Sequence, residues 1–371
     1  MKKIMAVTLA LLMCISFTVI SYAEAPKTGS FKVSSFNVAG LPSFEAFSGG
    51  DVDAESIVSF IANKTMKNQT IIGKYIEGQD YDIFATQEDF FYHDFLAAEL
   101  KSFNYSTQWQ GGVPWGDGTT VFTKDKKMTG EEHIKWDMLS GDGSQEDGAD
   151  IYSRKGITYV CIEIDDGVYV DFYDIHADAN GDEGSQKART DNFRQLADLV
   201  NKKNTGRPVI VTGDFNISSH HQNWDSSGKY FTERLIKKEG FKDAWTELYN
   251  AGDYEDFSYW TDTFGTTQAG YWGKWDSVEK FIYKDGDNVS LKCDSFNYNN
   301  EVVDESGEHC SDHAMINAKF TYTVTGAADN GENESKTESR LEALFRKILS
   351  FITALVDGLS NVKNIFAFQF K

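Results

Sequence analysis

The sequence predicts a layered α/β domain with mixed β-sheets. From about residue 31 to residue 322, short apolar runs of the β type alternate with segments of helical periodicity, and the strand candidates outnumber the helical ones. A hydrophobic fraction of 40% over 371 residues is enough to bury one large core or two modest ones. No internal repeat of fixed period is present.

The individual elements follow from local patterns. Strand candidates are short apolar runs that end at turn-forming or polar residues. They are Phe31–Asn37, Tyr81–Gln87, Thr119–Thr123, Gly156–Ile164, Val168–Ile175, Pro208–Thr212, Val278–Tyr283 and Ala314–Tyr322. Helical candidates carry apolar residues three and four positions apart. They are Ala54–Tyr75, Asp94–Phe103, Gln186–Lys203 and Tyr230–Lys238.

The first 23 residues have the composition of a secretory signal peptide. Lys2 and Lys3 precede an apolar run from Ile4 to Ile20, and Ser21-Tyr22-Ala23 is a small-residue cleavage site. We therefore expect cleavage after Ala23 and a secreted mature protein. A retained membrane anchor is the alternative, although the run is short for a span.

The chain after residue 322 is predicted to form a polar linker and an amphipathic helix. Residues 323–340 are rich in Gly, Asn, Glu and Ser, whereas residues 341–371 carry apolar residues at spacings of three and four. Asp357 and Lys363 interrupt the apolar run, so no membrane span is expected. Docking onto the main domain, self-association and binding to a membrane surface are the alternatives for this helix.

Charge and cysteine content narrow the function classes. A formal net charge of −21 argues against a broad basic surface for nucleic acid, but not against a nuclease that acts through metal ions at one place. Cys293 and Cys310 could form a disulfide in an oxidising compartment, with Cys161 left alone. The alternative is three buried free thiols.

The strongest chemical signal lies at the end of the run Val209–Asn216. Residues two apart in an extended chain point to the same side, so Asp214 and Asn216 face one point beyond the sheet edge. A carboxylate that can activate water and an amide that can bind an anionic oxygen suit hydrolysis. A plain turn is the alternative for the tetrapeptide Gly213–Asn216 taken alone.

Other predicted strands also end in polar side chains. Asn37 closes the first strand, Glu88 follows the second, and His176 follows an apolar alternation. Asp312 and His313 open the last strand, where adjacent side chains cannot share a face and so serve different partners. Glu279 and Lys280 begin the strand before it, where two charges at an exposed strand end are the ordinary interpretation.

Taken in order, these strand ends resemble the endonuclease/exonuclease/phosphatase superfamily, which includes deoxyribonucleases, abasic-site nucleases, neutral sphingomyelinases and inositol-polyphosphate 5-phosphatases. The resemblance covers residues 30–322, which we expect to form the catalytic domain. It implies a four-layer sandwich of two packed mixed β-sheets flanked by helices. It also implies in-line attack of water on phosphorus.

The resemblance assigns a role to each residue. Glu88, helped by Asn37 and with Asp312 as a further ligand, would hold Mg²⁺, with Mn²⁺ and Ca²⁺ as alternatives. Asp214 would orient or deprotonate the attacking water, and Asn216 would hold the phosphate. His313, oriented by Asp312, would act as general base or transition-state donor, and His176 would stabilise negative oxygens.

One position departs from the family pattern. The family usually has Asp where this chain has Glu279, and its neighbour Lys280 is a second candidate for a supporting residue of the site. The longer side chain is expected to alter any support that this carboxylate gives to His176.

The substrate class is less sharply defined. Deoxyribonuclease-like enzymes carry Arg shortly after the metal-binding Glu, whereas Asp89-Phe90-Phe91 follows Glu88 here. The runs Asn37–Pro42, Gln87–Phe90 and His176–Ala179 resemble secreted bacterial and fungal phosphoesterases. We expect a phosphodiester substrate, either nucleic acid or a phospholipid headgroup as in sphingomyelinases. An inositol-phosphate phosphomonoesterase and a non-catalytic binding module are the alternatives.

Residues 257–275 contain many aromatic side chains. A loop that touches a bilayer and ordinary core packing are the two interpretations, and core packing is favoured.

Overall fold

The computed structural model describes residues 26–40, 54–107, 116–140, 150–217, 225–255 and 278–325, with the backbone alone for residues 54–63 and 151–152. The chain divides into two units, residues 1–325 and residues 326–371. The expected signal peptide, the C-terminal helix and the aromatic stretch 257–275 lie outside the described residues, so these three expectations stay predictions.

Two six-stranded sheets form from the described residues. The first contains, in spatial order, β11 (Val289–Asn299), β12 (Met315–Val324), β1 (Thr28–Asn37), β2 (Ile83–Gln87), β4 (Thr120–Lys124) and β3 (Phe103–Tyr105). The second contains β5 (Lys127–Lys135), β6 (Gly156–Asp165), β7 (Val168–His176), β8 (Val209–Asp214), β10 (Glu279–Lys284) and β9 (Lys242–Asp243). Both sheets are mixed, because β1 pairs with β2 and β7 pairs with β8 in parallel.

Helices pack against both sheets. They are α1 (Ala54–Glu77), α2 (His93–Ala97), α3 (Asp150–Ser153), α4 (Glu183–Lys203), α5 (Ser226–Phe231), which continues as a π-helical segment (Thr232–Lys238), and α6 (Ala244–Tyr249). The α4 helix begins after Asp182, whose carboxylate accepts a hydrogen bond from the Ser185 amide, and it ends at Asn204 in the left-handed conformation. None of the described helices is long and apolar enough to cross a membrane.

Three hydrophobic clusters define four layers. One cluster, which includes Phe172 and Phe320, fills the space between the two sheets. A second packs α4 and α5 against the outer face of the second sheet, and a third packs α1 and α2 against the first. The predicted four-layer sandwich is therefore confirmed for the described residues.

The sequence patterns found the buried elements and missed the marginal ones. All eight predicted strands are present, with ends shifted by a few residues. The missed strands are β3, β5, β9 and β11, and the missed helices are α3 and α6. The β5 strand lies at a sheet edge and is largely exposed, so it carries charges where a buried strand would carry apolar residues. The predicted helix Asp94–Phe103 is wrong beyond Ala97, because Phe103 pairs with Lys124 in a strand.

The proposed disulfide does not form. Cys161, Cys293 and Cys310 are buried free thiols. Cys293 packs between the two sheets, whereas Cys310 packs in the cluster on the outer face of the first sheet. A disulfide requires the two Cα atoms to lie within about 7 Å with converging side chains. The intervening sheet prevents that convergence, so the alternative of three free thiols is the correct one.

A glycine allows the strands beneath the site to approach closely. Gly213 has a φ of 127°, and a Cβ there would lie 2.0 Å from the Ile175 carbonyl oxygen on β7. Only glycine fits this contact without moving the backbone. The close approach of β7 and β8 brings His176 and Asp214 into register.

A buried arginine fastens the loop after β7 to the helical layer. The Arg189 guanidinium donates hydrogen bonds to the carbonyl oxygens of residues 178–180, to Ser227 Oγ and to Asp225. The Arg189 Nη2 to Asp225 Oδ2 distance is 2.8 Å, and both side chains are buried. Removal of either partner would leave an uncompensated buried charge.

We predict that Asp225→Ala lowers the free energy of unfolding by about 3–5 kcal/mol, because it leaves the Arg189 charge buried without its carboxylate. Urea denaturation would measure this change. The matched control is Asp191→Ala, which removes an exposed ion pair with Arg194 and should cost less than about 1 kcal/mol. Equal effects of the two substitutions would contradict the role assigned to the buried pair.

Candidate active site

Strand register brings the polar strand ends together at one edge of the sandwich. The parallel pairing aligns Asn37 with Gln87 in the first sheet, immediately before Glu88, and His176 with Asp214 in the second. Antiparallel pairing then places Glu279 opposite Asp214. The chain enters β12 beside the end of β1, which delivers His313 to the same edge.

Asn37 connects the carboxylates of the two sheets. Its Nδ2 donates to Glu88 Oε1 and to Asp214 Oδ2, both at 3.1 Å, while its Oδ1 accepts from the Ala39 amide. The amide oxygen therefore faces the backbone and the nitrogen faces the acids. The expected metal ligation by Asn37 does not match this orientation, since ligation would require the oxygen.

Glu88 reaches the site through an unusual backbone conformation. Alternation along β2 places Ile83 and Ala85 in the core between the sheets, and by the same alternation Glu88 would point outward. Its φ of 55° lies in the left-handed region, which is strained for a non-glycine residue, and its carboxylate returns to Asn37. Strain of this kind is concentrated at functional sites.

Glu279 holds His313. His313 Nδ1 makes a short hydrogen bond to Glu279 Oε1 and lies 3.8 Å from Asp214 Oδ2. Burial alone would lower the pKa of His313, but the charge of Glu279 and its hydrogen bond outweigh burial and raise that pKa to about 10. His313 is therefore a charged donor at neutral pH.

Three expectations about the residues around His313 are wrong. Glu279 supports His313 rather than His176, because the antiparallel pairing of β10 faces it toward the start of β12. Asp312 does not orient His313, since its side chain is 78% exposed and lies 4.0 Å from Nε2. Lys280 occupies the opposite face of β10 from Glu279, 3.4 Å from Asp243, and both charged residues of this strand are buried rather than exposed.

His176 is neutral. Burial lowers its pKa well below the ordinary value, and the charges of Lys155 and His313 lower it further. Its Nε2 lies 3.5 Å from Asp214 Oδ2, and its buried Nδ1 has no hydrogen-bond partner among the described residues. The two histidines of the site thus differ in charge.

The two central carboxyl groups are stronger bases than ordinary carboxylates. Burial raises the pKa of Asp214, although His313 opposes the rise. Burial also raises the pKa of Glu88, and the nearby charge of Asp312 adds to the rise. Both acids lie where a cation would relieve the cost of burying negative charge.

The turn after β8 fixes Asn216. Its backbone amide donates to Asp214 Oδ1 at 2.9 Å, and its Nδ2 donates to the Ala177 carbonyl at 3.0 Å. Asn216 has a φ of 52°, a left-handed conformation that Asn tolerates better than most residues. The tetrapeptide is therefore a turn that also carries site residues.

Lys155 is a site residue that the sequence patterns missed. Its ammonium lies 2.8 Å from Asp150 Oδ1 and donates to the Ala177 carbonyl at 3.4 Å. Its charge reaches Glu88, Asp214 and His176, on each of which it lowers the pKa. A lysine just before an apolar strand usually indicates a solvated strand end. Here the short α3 helix places Asp150 beside Lys155, and the two side chains form a buried ion pair.

The arrangement can hold a divalent cation. Asp214, Glu279 and His313 offer ligand atoms within 4.8 Å of one another. Glu88 offers oxygen atoms beside this group, because its Oε1 accepts a hydrogen bond from the same Asn37 amide as Asp214 Oδ2. An ion among the first three would compete with the hydrogen bond between Glu279 and His313, whereas oxygens of Glu88 and Asp312 suit a hard ion without that conflict.

The fold agrees with comparisons to known proteins. The chain belongs to the Endonuclease/Exonuclease/phosphatase family, whose sequence pattern matches residues 34–276. Sphingomyelinases of Mycobacterium bovis and Mycobacterium tuberculosis are 26% identical over 310 residues, which is 81% of this chain and 54% of theirs. The chain thus spans about half the length of these relatives.

Solved structures show the same fold. Humanized D. rerio TDP2 is 15% identical with a TM-score of 0.53, and the match covers 78% of this chain and 98% of that one. Beta toxin from Staphylococcus aureus is 17% identical with a TM-score of 0.50, over 78% of this chain and 99% of that one. At this level of identity the likeness concerns the architecture.

We predict that Glu279→Gln lowers the pKa of His313 from about 10 toward its ordinary range, because the charged partner is lost. In metal-free buffer, NMR titration of the imidazole should then show deprotonation at a clearly lower pH than in the wild type. A raised folded-state pKa stabilises the fold below about pH 6.5, and this stabilisation is lost as pH rises toward 10. An unchanged titration would contradict the pairing.

Proposed function

We propose that this protein is a metal-dependent phosphodiesterase that hydrolyses its substrate by in-line attack of water. The observation that carries the proposal is that Asn37, Glu88, Asp214 and His313 lie together at one edge of the sandwich. The side-chain amide of Asn37 donates hydrogen bonds to both acids, Glu88 and Asp214. Phosphoryl transfer depends on positioning and charge neutralisation, and this arrangement supplies both.

Asp214 is the residue best suited to take the proton of the attacking water. Its pKa is raised by burial, which makes it a better base than an exposed carboxylate. The Asn37 amide and the Asn216 backbone hold its two oxygens in place. His176, being neutral and next to Asp214, adds no competing positive charge.

His313 is better suited to donate than to accept a proton. Glu279 keeps it charged at neutral pH and takes its Nδ1, so Nε2 remains directed away from that carboxylate. A charged imidazole there would bind a phosphoryl oxygen as negative charge develops. Lys155, fixed by Asp150, adds positive potential that acts on both Glu88 and Asp214.

Glu88 and Asp312 are the residues that would hold Mg²⁺. Their oxygens match the preference of a hard cation, and Mn²⁺ and Ca²⁺ remain alternatives. When bound, the ion would neutralise charge on the phosphate oxygens and polarise the ester.

A phospholipid headgroup is the favoured substrate, as in sphingomyelinase-type enzymes. The relatives named sphingomyelinase cover most of this chain. The net charge of −21 and the absence of Arg after Glu88 disfavour a duplex nucleic acid. We further infer export from the cell, on the basis of the charged, apolar and small-residue pattern of residues 1–23.

A substrate panel would test this proposal. Sphingomyelin vesicles, plasmid DNA, RNA, inositol phosphates and an aryl phosphodiester should be compared in Mg²⁺ buffer. We expect hydrolysis of the aryl phosphodiester and of sphingomyelin. Preferred release of phosphate from inositol phosphates would instead support a phosphomonoesterase, and no hydrolysis of any ester would support a binding module.

We predict that His313→Ala lowers turnover by about 10² to 10⁴, because a charged donor to the phosphoryl group is lost. The aryl phosphodiester is the substrate for this measurement, and circular dichroism would show that folding is intact. The control is His309→Ala, which changes an exposed histidine four residues earlier. Near-native turnover of His313→Ala would remove His313 from the mechanism.

We predict that chelation abolishes hydrolysis and that added Mg²⁺ restores it. Mg²⁺ should also raise the melting temperature of the wild type, because a ligand that binds only the folded state stabilises it. Glu88→Gln should reduce this shift, whereas Asp80→Asn, at an exposed surface pair, should leave it unchanged. Hydrolysis that resists EDTA would contradict the metal site.

A further inference from the structure

Three exposed aromatic side chains lie close together beside the candidate active site. Phe91, Phe95 and Tyr105 are 48%, 42% and 49% exposed, whereas most large apolar side chains in the described residues are buried. Tyr92 links two of them, since its ring centroid lies 6.3 Å from that of Phe91 and 6.4 Å from that of Phe95. We refer to Phe91, Tyr92, Phe95 and Tyr105 as the aromatic patch.

The patch is held on rigid supports. His93 Nδ1 lies 2.6 Å from the buried Asp89 carboxylate, and its ring stacks on Phe122 at 6.0 Å and contacts Tyr105 at 5.2 Å. Leu96 of the same helix is buried in the core beneath the first sheet. These anchors fix α2, with exposed Phe91 just before it and exposed Phe95 within it, and connect it to the edge strand that carries Tyr105.

The patch adjoins the site. Phe91 follows Glu88 by three residues, so their Cα atoms are at most about 11 Å apart. A surface that seats on the patch would therefore bring its polar groups near the carboxylates. Such a placement is useful only if the substrate is part of that surface.

The charge around the patch restricts the kind of surface. Asp94 is exposed between the two phenylalanines, and the whole chain carries a net charge of −21. An anionic membrane would be repelled, whereas zwitterionic headgroups would not. Aromatic rings favour the interface between headgroups and hydrocarbon. The aromatic patch consists of four such rings and contains no lysine that would attract anionic lipids.

We propose that the aromatic patch is a docking surface for a zwitterionic, phosphocholine-rich bilayer. Insertion of Phe91 and Phe95 at the interface would seat the enzyme with its catalytic edge toward the headgroups. The inference deepens the proposed function and rests on it, because it assumes that the phosphodiester is a lipid headgroup. It concerns different residues from the 257–275 stretch.

The test compares matched variants in binding and in hydrolysis. Wild type, Phe91→Ala/Phe95→Ala and the control Tyr169→Ala/Leu248→Ala, which removes two exposed apolar side chains elsewhere, are floated with vesicles of phosphatidylcholine and sphingomyelin. The loss of two half-buried rings should reduce partitioning of the first variant at least about tenfold. The control should bind like the wild type.

Hydrolysis separates this inference from the proposed function. The Phe91→Ala/Phe95→Ala variant should cleave the soluble aryl phosphodiester at the wild-type rate and sphingomyelin in vesicles at least about tenfold more slowly. If the wild type floats with vesicles but cleaves neither ester, the docking surface stands and the proposed function fails. If it cleaves sphingomyelin and the variant does so equally, the docking surface is refuted.

Two further measurements guard against a folding defect and a different partner. Phe91→Trp/Phe95→Trp keeps the rings and should bind zwitterionic vesicles at least as tightly as the wild type. Partial replacement of phosphatidylcholine by phosphatidylglycerol should weaken binding of the wild type. Stronger binding to the anionic vesicles, or equal loss of binding in the control variant, would overturn the proposal.

Discussion

The amide nitrogen of Asn37 lies between two carboxylates that come from different sheets, and the rest of the site is arranged around that contact. Bringing Glu88 and Asp214 to one donor concentrates negative charge in a buried place, which is unfavourable without compensation. Lys155 and His313 supply positive charge nearby. The requirement to balance this charge explains why a lysine and an ionised histidine are buried here.

The two histidines show how surroundings divide one residue type into two chemical roles. His313 has a carboxylate on Nδ1 and remains charged, whereas His176 is enclosed, has positive neighbours and remains neutral. Both lie near the same oxygen of Asp214, with His176 Nε2 at 3.5 Å and His313 Nδ1 at 3.8 Å from Oδ2. Two residues of the same type can therefore differ in protonation state within one site, because their surroundings differ.

The segment that follows β2 carries both Glu88 of the candidate site and the exposed Phe91 and Phe95 of the aromatic patch. The chain leaves β2, turns sharply at Glu88, passes Phe91 and then forms the short helix that carries Phe95. Anchoring of His93 to Asp89 and Phe122 makes this segment rigid. One short, anchored segment therefore holds both Glu88 of the candidate site and the exposed rings of Phe91 and Phe95.

The amino-acid sequence already predicted which polar residues would lie together, because Asn37, Glu88, His176 and Asp214 end apolar runs and His313 precedes one. It also determined the layered architecture through its apolar periodicity. The contacts between particular residues depend instead on how the chain folds. The pairing of β10 with β8 assigned Glu279 to His313, the sheet between Cys293 and Cys310 prevented a disulfide, and α3 buried Lys155 against Asp150. These outcomes depend on register and on contacts between distant segments, which no local pattern encodes.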